Sequence, residues 1–294
     1  MPSSCASNVQ DRIRSIPELA TLPETVSQVL FLLQDESYTA LDLAAVIESN
    51  STLASQILRL INSPAYGLER GVCSIPDAAI LLGFDEVERM ALGVSIVTVF
   101  GANRTGVKTL GPLWRHSLAT AIAAQVIERH NHRQASALQG AHVAALLHDI
   151  GKVAIIQYLP EARDRIMRLL VGGATVPEAE RDALDGVTHC DVGAWLAEGW
   201  GLPATVVDGI LRHHDPQKAA EDEPMVHATH VANCLAKSQG HCAPVCDPEE
   251  AVHPFSASIV GLNSELANRV VFTLGRCRCL MGAFARGDMF SPHS

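Results

Sequence analysis

The residues best suited to chemistry are a set of histidines and one aspartate in the second half of the chain. The sequence LLHDIGK places His148 beside Asp149 at the end of an apolar run. The full set, in chain order, is His116, His148, Asp149, His189, His213 and His214. Imidazoles and carboxylates together are common ligands of Fe, Mn, Zn or Ni. A metal bound by these side chains would lower the pKa of a bound water and provide a nucleophile at neutral pH.

Two residues of this motif are candidate catalytic residues if the protein is an enzyme. Asp149 can bridge two metal ions, and the nearby Lys152 can contact a phosphate of the substrate. The simpler interpretation of a histidine at a helix end is a capping or dipole partner. We favour that interpretation for His130, His132, His142, His227, His230 and His241.

Hydrophobic periodicity predicts an all-α protein, because apolar residues recur at helical spacing and alternating strand patterns are scarce. The segment PETVSQVLFLLQD is one example, with Val26, Val29 and Leu33 on one face. Ser51 is the candidate N-cap of the helix that follows Asn50. Four predicted helices carry the candidate ligands at or near their ends, and helix bundles build metal sites by converging such side chains.

A Gly-rich polar segment, GANRTGVKTLGP, divides the predicted helices into two parts and ends at Pro112. We therefore predict a multi-helix bundle in two helical parts, residues 16–100 and 112–239, preceded by a tail over residues 1–15. Residues 240–294 are predicted to form a Pro-rich linker and a helical extension. We expect the apolar residues of this extension to pack against the rest of the protein. They are Val270, Val271, Leu274, Leu280, Met281 and Phe284.

Charge and composition argue against several classes of partner. The chain has 22 Lys and Arg against 32 Asp and Glu, a formal net charge of −10, so we expect no nucleic-acid partner. No apolar run is long enough to span a bilayer, and the N-terminus lacks the apolar core of a signal peptide. We expect a cytoplasmic protein without a membrane partner, and we expect most of its eight cysteines to be reduced.

One further group of residues has the composition of a zinc site, namely His241, Cys242, Cys246 and His253. Its spacing matches no common Cys/His pattern, and the segment is Pro-rich and loop-like. We therefore do not predict a structural zinc at this position.

The ordered histidines and aspartate resemble the HD superfamily of metal-dependent phosphohydrolases, whose central motif is similar to LLHDIGK. The stretch THCDVGAWLAEGWGLPATVVDGILRHH is similar to one in HD-GYP cyclic-dinucleotide phosphodiesterases and in their HDOD relatives. The first part of the chain, including NSPAYG and AILLGF, resembles the front half of an HDOD domain. The resemblance covers about residues 16–236 and identifies the chain as a member of the HDOD family. It implies an all-α HDOD-type bundle whose metal site would contain the six candidate ligands.

The chain departs from the catalytic relatives at one expected ligand. In HATHVANCLA, Asn233 stands where those relatives have a metal-binding Asp. The site would lose one negative charge, and Asp149 would be the one carboxylate left in the matched set, so we expect a weakened or single-metal site. The sequence after His214, DPQKAAEDEP, also lacks the GYP loop of the phosphodiesterases.

Two functions follow from the resemblance. The first, which we favour, is a bacterial signal-transduction or regulatory module that acts mainly through protein interaction, is non-catalytic and retains a metal-binding site. Its partners would be signalling or regulatory proteins, and a nucleotide second messenger is a further candidate ligand. The alternative is a metal-dependent phosphohydrolase that acts on a nucleotide or a cyclic dinucleotide. The sequence alone does not decide whether the protein is an enzyme.

Overall fold

The computed structural model is built from helices, and no strand occurs among the residues that it describes. These residues are 4–20, 22, 24–32, 37–62, 68, 70–100, 110–131, 135–138, 140–242, 250–278 and 281–282. The predicted all-α class is confirmed. Some predicted features lie outside the described residues: segment 63–67 of NSPAYG, seam residues 101–109, linker residues 243–249, His132, Leu280 and Phe284.

The helices are numbered in chain order. They are α1 (Ser4–Arg14), α2 (Pro17–Ala20), α3 (Glu24–Leu32), α4 (Ala40–Ser49), α5 (Ser51–Ile61), α6 (Ile75–Leu82), α7 (Phe84–Phe100), α8 (Leu110–His130), α9 (Ala135–Leu138), α10 (Ala141–Leu147), α11 (Ile150–Tyr158), α12 (Pro160–Val171), α13 (Val176–Ala183), α14 (His189–Gly199), α15 (Ala204–Arg212), α16 (Pro224–Ser238), α17 (Pro254–Ile259) and α18 (Ser264–Arg276). A short 3₁₀ helix spans Pro216–Lys218.

The chain forms two compact units. The first contains residues 1–21 and 103–273, and the second contains residues 22–102 and 274–294. The predicted division near residues 101–112 therefore lies close to one of the observed boundaries. The second unit also contains C-terminal residues, which the sequence assigned to a separate extension.

Both ends of the chain contribute to the packed units. The segment predicted as an N-terminal tail instead contains α1, which packs against α14 because Val9 and Ile13 give it a buried apolar side. In the predicted extension, Val270, Leu274 and Met281 are buried, whereas Val271 is 41% exposed. α17 packs against α16.

The second unit is a small bundle in which α3, α4, α5 and α6 each pack against α7 or against one another. Asn50, and not the predicted Ser51, is the N-cap of α5, because its side chain accepts a hydrogen bond from the Leu53 N–H at 2.9 Å. The side chain of Asn62 exchanges two hydrogen bonds with the backbone of Val72, at 2.7 and 2.8 Å. These two asparagines therefore fix both ends of α5.

The first unit is organised around α8, whose residues are buried on nearly every side. The sequence LATAIAA gives this helix small side chains, so α10 and α16 pack closely against it. α15 packs against both α14 and α16, and α14 packs against α11. These contacts bring the ends of α10, α11, α14 and α15 together.

The glycine of the LLHDIGK motif permits the closest of these approaches. A Cβ atom on Gly151 would overlap the carbonyl group of His189 and would lie 2.9 Å from the Gly193 nitrogen. Only a residue without a side chain therefore allows α11 to lie this close to α14. This approach places Asp149 next to His189.

Within the described part of the chain, the model contains no helix with the length and apolar character of a membrane span.

Candidate metal centre

The six candidate ligands meet at one place in the first unit. His116 lies in the second turn of α8, and the other five lie at helix ends. His148 follows α10, Asp149 precedes α11, His189 begins α14, and His213 and His214 follow α15. The predicted convergence of these side chains is therefore observed, and their role as ligands stays a prediction.

Each of the five imidazoles is held by a hydrogen bond from its Nδ1–H to an oxygen atom. Three acceptors are backbone carbonyl groups: those of His241 for His116 (2.6 Å), Ala145 for His148 (2.6 Å) and Ile210 for His213 (2.7 Å). Two acceptors are carboxylates: Glu180 for His189 (2.7 Å) and Glu250 for His214 (2.8 Å). These bonds orient the rings and leave Nε2 of each as the nitrogen that can bind a metal.

The Nε2 atoms of His116 and His148 lie 3.1 Å apart. Burial lowers the pKa of His116 to about 4 and the pKa of His148 to about 3, so both rings are neutral at pH 7. Because Nδ1 carries the proton in each ring, two lone pairs oppose each other inside the protein. The Oδ2 atom of Asp149 lies 3.7 Å from the first Nε2 and 3.5 Å from the second. This group of side chains therefore fits a cation.

Asp149 connects this group to the remaining histidines. Its Oδ1 atom lies 3.3 Å from His189 Nε2 and 2.9 Å from Lys152 Nζ. Burial raises the pKa of the Asp149 carboxyl, but the charges of Lys152 and the neighbouring histidines outweigh it and hold the pKa well below its ordinary value. The carboxylate is therefore ionised and lies between two possible metal positions.

His189, Cys190, His213 and His214 form a second group of possible ligands, whose ligand atoms all lie within 4.8 Å of one another. His213 is fully buried, and its Nε2 has no hydrogen-bond partner among the described residues. Burial lowers the pKa of His189, but the charges of Cys190 and Glu180 outweigh it and raise the pKa to about 10. A metal that binds this ring must therefore displace a proton.

A surface pocket of about 590 Å³ borders this second group. His189, Cys190 and His214 line it, and three cations also contribute to its wall: Arg181, Arg212 and Lys218. Arg212 contacts the Glu223 carboxylate at 2.6 Å, and Lys218 contacts the Asp215 carboxylate at 2.8 Å. The pocket gives solvent a route to the second group, and two of these three cations, Arg212 and Lys218, are already paired.

Asn233 is the residue at which the chain departs from the catalytic pattern. It lies beside the carboxylate of Glu250, which the sequence did not predict as part of the site. Its Nδ2 donates to Glu250 Oε2 at 3.2 Å, and its buried Oδ1 has no hydrogen-bond partner among the described residues. Glu250 also contacts His214 and, at 2.6 Å, Lys237 Nζ. Burial raises the pKa of Glu250, but its contacts with His214 and Lys237 lower it to about 2. The negative charge missing at Asn233 is thus present on a neighbouring side chain.

Histidines outside the predicted set have structural partners. His230 Nδ1–H donates to the His213 carbonyl at 2.8 Å, and His230 Nε2 accepts from the His253 N–H at 3.0 Å. The two ring nitrogens of His227 contact Ser256 Oγ and the Ala220 carbonyl. Although His230, Cys234 and Glu250 lie close enough together to bind a metal, the nitrogens of His230 are both in use, so this third group is a poor metal site.

Only part of the disfavoured zinc group lies within the described residues. Cys246 lies outside the described residues, and Cys242 is bonded in a disulfide, a form that does not ligate zinc. Elsewhere in the described chain, Cys73, Cys190, Cys234 and Cys277 are free thiols.

Sequence reasoning missed three residues of the site: Glu180, Cys190 and Glu250. Glu180 precedes His189 by nine positions, and Glu250 follows His214 by 36 positions. No motif spacing connects either pair. Cys190 was adjacent to a predicted ligand, and this adjacency was the one signal available in the sequence.

The HDOD domain family model matches residues 19–216, which is more than half of the chain. An HDOD domain protein of unknown function from Geobacter sulfurreducens has 24% sequence identity and a TM-score of 0.73, and the match covers 97% of both chains. A protein from Marinobacter aquaeolei, provisionally called a signal transduction protein, has 24% identity and a TM-score of 0.70. That match covers 92% of this chain and 59% of the other. At these identities the likeness shows the fold alone.

A curated relative, an uncharacterised protein of Treponema pallidum, is 24% identical over 229 residues. The match covers 78% of this chain and 43% of the relative. The chain therefore spans less than half of the length of that relative.

Proposed function

Since the chain belongs to the HDOD domain family, we propose that it is a signal-transduction module that acts by binding other proteins. In this proposal the histidine and aspartate cluster holds a divalent transition metal but does not hydrolyse phosphoesters. The residues that would hold the metal are His116, His148, Asp149, His189, His213 and His214.

The observation that carries the non-catalytic part of the proposal is the environment of Asp149. This carboxylate is 1% exposed, and Lys152 Nζ lies 2.9 Å from Oδ1 and 3.1 Å from Oδ2. Lys152 is therefore engaged with the carboxylate and is not positioned for a substrate phosphate. A hydrolytic metal keeps an open position for water and substrate, whereas His116 and His148 are as deeply buried as Asp149.

The protein-binding part of the proposal is supported by the surface of the second unit. Ile80 is 85% exposed and Leu81 is 56% exposed on α6, and Leu41 is 75% exposed on the neighbouring α4. Exposed apolar side chains that recur on adjacent helices are common where another protein binds. We further propose a cytoplasmic location, which four free thiols among the described residues support. The net charge of −10 makes nucleic acid an unsuitable partner.

A screen of phosphoesters tests the proposal. Mononucleotides, cyclic dinucleotides and bis(p-nitrophenyl) phosphate would be incubated with the protein and Mn²⁺, Fe²⁺ or Ni²⁺. We expect no hydrolysis above that of a His148→Ala control. Turnover that disappears in Asp149→Ala would overturn the non-catalytic assignment. In cross-linking experiments in the source cell, we expect Ile80→Asp to lose partners that Asp149→Ala retains.

The second candidate function is a metal-dependent phosphohydrolase, and the pocket beside His189 and His214 favours it. Its volume of about 590 Å³ would accommodate a nucleotide-sized ligand. A nucleotide second messenger is also the small ligand that this pocket would suit in the favoured function. The pairing of Arg212 and Lys218 with carboxylates weakens the attraction of the pocket for phosphate and leaves Arg181 as the remaining cation of the wall.

A further inference from the structure

We propose that Cys190 supplies a thiolate ligand, so that His189, Cys190, His213 and His214 form a closed four-ligand site with a preference for zinc. This inference rests on the metal centre of the proposed function and specifies the chemistry of one half of it. The resemblance to metal-dependent phosphohydrolases predicts histidine and carboxylate ligands and does not include this cysteine.

The first observation is the position of the thiol. Cys190 is the second residue of α14 and is 8% exposed. Its Sγ lies 3.5 Å from His189 Nε2 and 3.9 Å from His213 Nδ1. The first turn of α14 is fixed by a capping box, in which the backbone N–H and the hydroxyl of Thr188 both donate to Asp191 at 2.8 Å. The thiol is therefore held toward the histidines.

The second observation, independent of the thiol, is the buried nitrogen of His213. Its Nδ1–H donates to the Ile210 carbonyl, which leaves Nε2 as an acceptor. This atom has no hydrogen-bond partner among the described residues, and the side chain is fully buried. An unsatisfied buried acceptor is unfavourable, and a cation bound through Nε2 would satisfy it.

The third observation is the balance of charge. Glu250, which lies beside Asn233, is already paired with His214 and Lys237. A thiolate at Cys190 would supply an anionic ligand next to His189 and His213. Sulfur in place of carboxylate oxygen also shifts the preference toward softer ions, and a set of three imidazoles and one thiolate suits zinc.

The number of ligands has a functional consequence. Catalytic zinc sites have three protein ligands and keep one position for water, whereas structural sites have four. With Cys190 as the fourth ligand, the chain itself completes the site. A closed site of this kind stabilises the ends of α14 and α15 and leaves no position for a hydrolytic water.

Cobalt titration tests this inference, because a thiolate ligand gives Co²⁺ a charge-transfer absorption band in the near ultraviolet that imidazole and carboxylate ligands do not give. The full chain would be purified without affinity-tag nickel, treated with chelator and titrated with Co²⁺. We expect the band in the wild type and in Cys234→Ser, a matched control for a second buried thiol. We expect its loss in Cys190→Ser, with Zn²⁺ affinity at least ~10-fold lower.

X-ray absorption of the zinc-loaded wild type gives a second readout that does not depend on a variant folding. One sulfur among the ligands of zinc is expected, and a sulfur-free ligand shell would overturn the inference. Cobalt binding without the band would also overturn it while leaving the metal centre intact. Phosphoester turnover would instead overturn the proposed function, and an absence of any Co²⁺ binding would overturn both the metal centre and this inference.

Discussion

Lys152 Nζ lies within 3.1 Å of both carboxylate oxygens of Asp149, so one buried cation contacts the whole acidic group of the His-Asp pair. Burial alone would lower the pKa of Lys152, but the negative charge of Asp149 outweighs it and raises the pKa. The two side chains thus keep each other ionised inside the protein. This ion pair bears on both stability and metal binding, because a metal at Asp149 must share the carboxylate with Lys152.

Asp149→Asn should destabilise the metal-free protein by about 3–5 kcal/mol, because it leaves the Lys152 ammonium buried without its anion. Denaturant unfolding in the presence of chelator measures this loss. The double variant Asp149→Asn/Lys152→Met removes both charges and should recover most of the stability without recovering the metal bound by the His116, His148 and Asp149 group. A single variant as stable as the wild type would contradict the ion-pair account.

His148→Gln should remove the stabilisation that comes from metal bound by the His116, His148 and Asp149 group. For the wild type, free metal at 100 times its dissociation constant should add about 2.7 kcal/mol to the free energy of unfolding. The variant lacks the Nε2 atom that faces His116 at 3.1 Å, so metal should raise its Tm by less than it raises the Tm of the wild type. His130→Gln, at the end of α8 and outside the cluster, is the matched control and should respond as the wild type does.

Gly151→Ala should destabilise the first unit by about 1–3 kcal/mol or more, because the added methyl group would overlap the His189 carbonyl. The variant should also lose metal, since α11 and α14 must separate and move Asp149 away from His189. Thermal unfolding and metal analysis measure the two effects. Gly199→Ala in α14 is the control, because a Cβ there meets nothing within 4 Å. Equal Tm values for the two variants would show that the close approach is unimportant.

Glu250→Gln should lower the free energy of unfolding at neutral pH and change it little in acid. The pKa of Glu250 is lowered to about 2 in the folded protein from 4.5. A lowered pKa means that the carboxylate stabilises the fold above the unfolded-state pKa and that this contribution disappears as the pH falls toward 2. In chelator, the difference in unfolding free energy between wild type and variant should therefore become smaller as the pH falls from 6 to 3. Glu265→Gln is an exposed control, and a difference that is constant with pH would refute the account.

The sequence determined the features of this protein that depend on local pattern. Helical periodicity gave the all-α class because a buried helix face requires apolar residues at fixed spacing. The family and the six candidate ligands were also recognisable, because LLHDIGK and the histidines near helix ends keep their order along the chain. The sequence did not predict the N-terminal helix α1, because most of its residues are polar. Only Val9 and Ile13 indicate its buried side.

The tertiary structure alone decided how the cluster is held and what charge surrounds it. The acceptor that orients His116 is the backbone carbonyl of His241, 125 residues away. The carboxylate that accepts a hydrogen bond from His214 belongs to Glu250, 36 residues away. No local pattern specifies such partners, because a buried N–H can donate to any oxygen that the packing brings near. The same packing placed the Cys190 thiol among three imidazoles and set a carboxylate against Asn233. These neighbours of the cluster are therefore set by the fold and not by any local pattern.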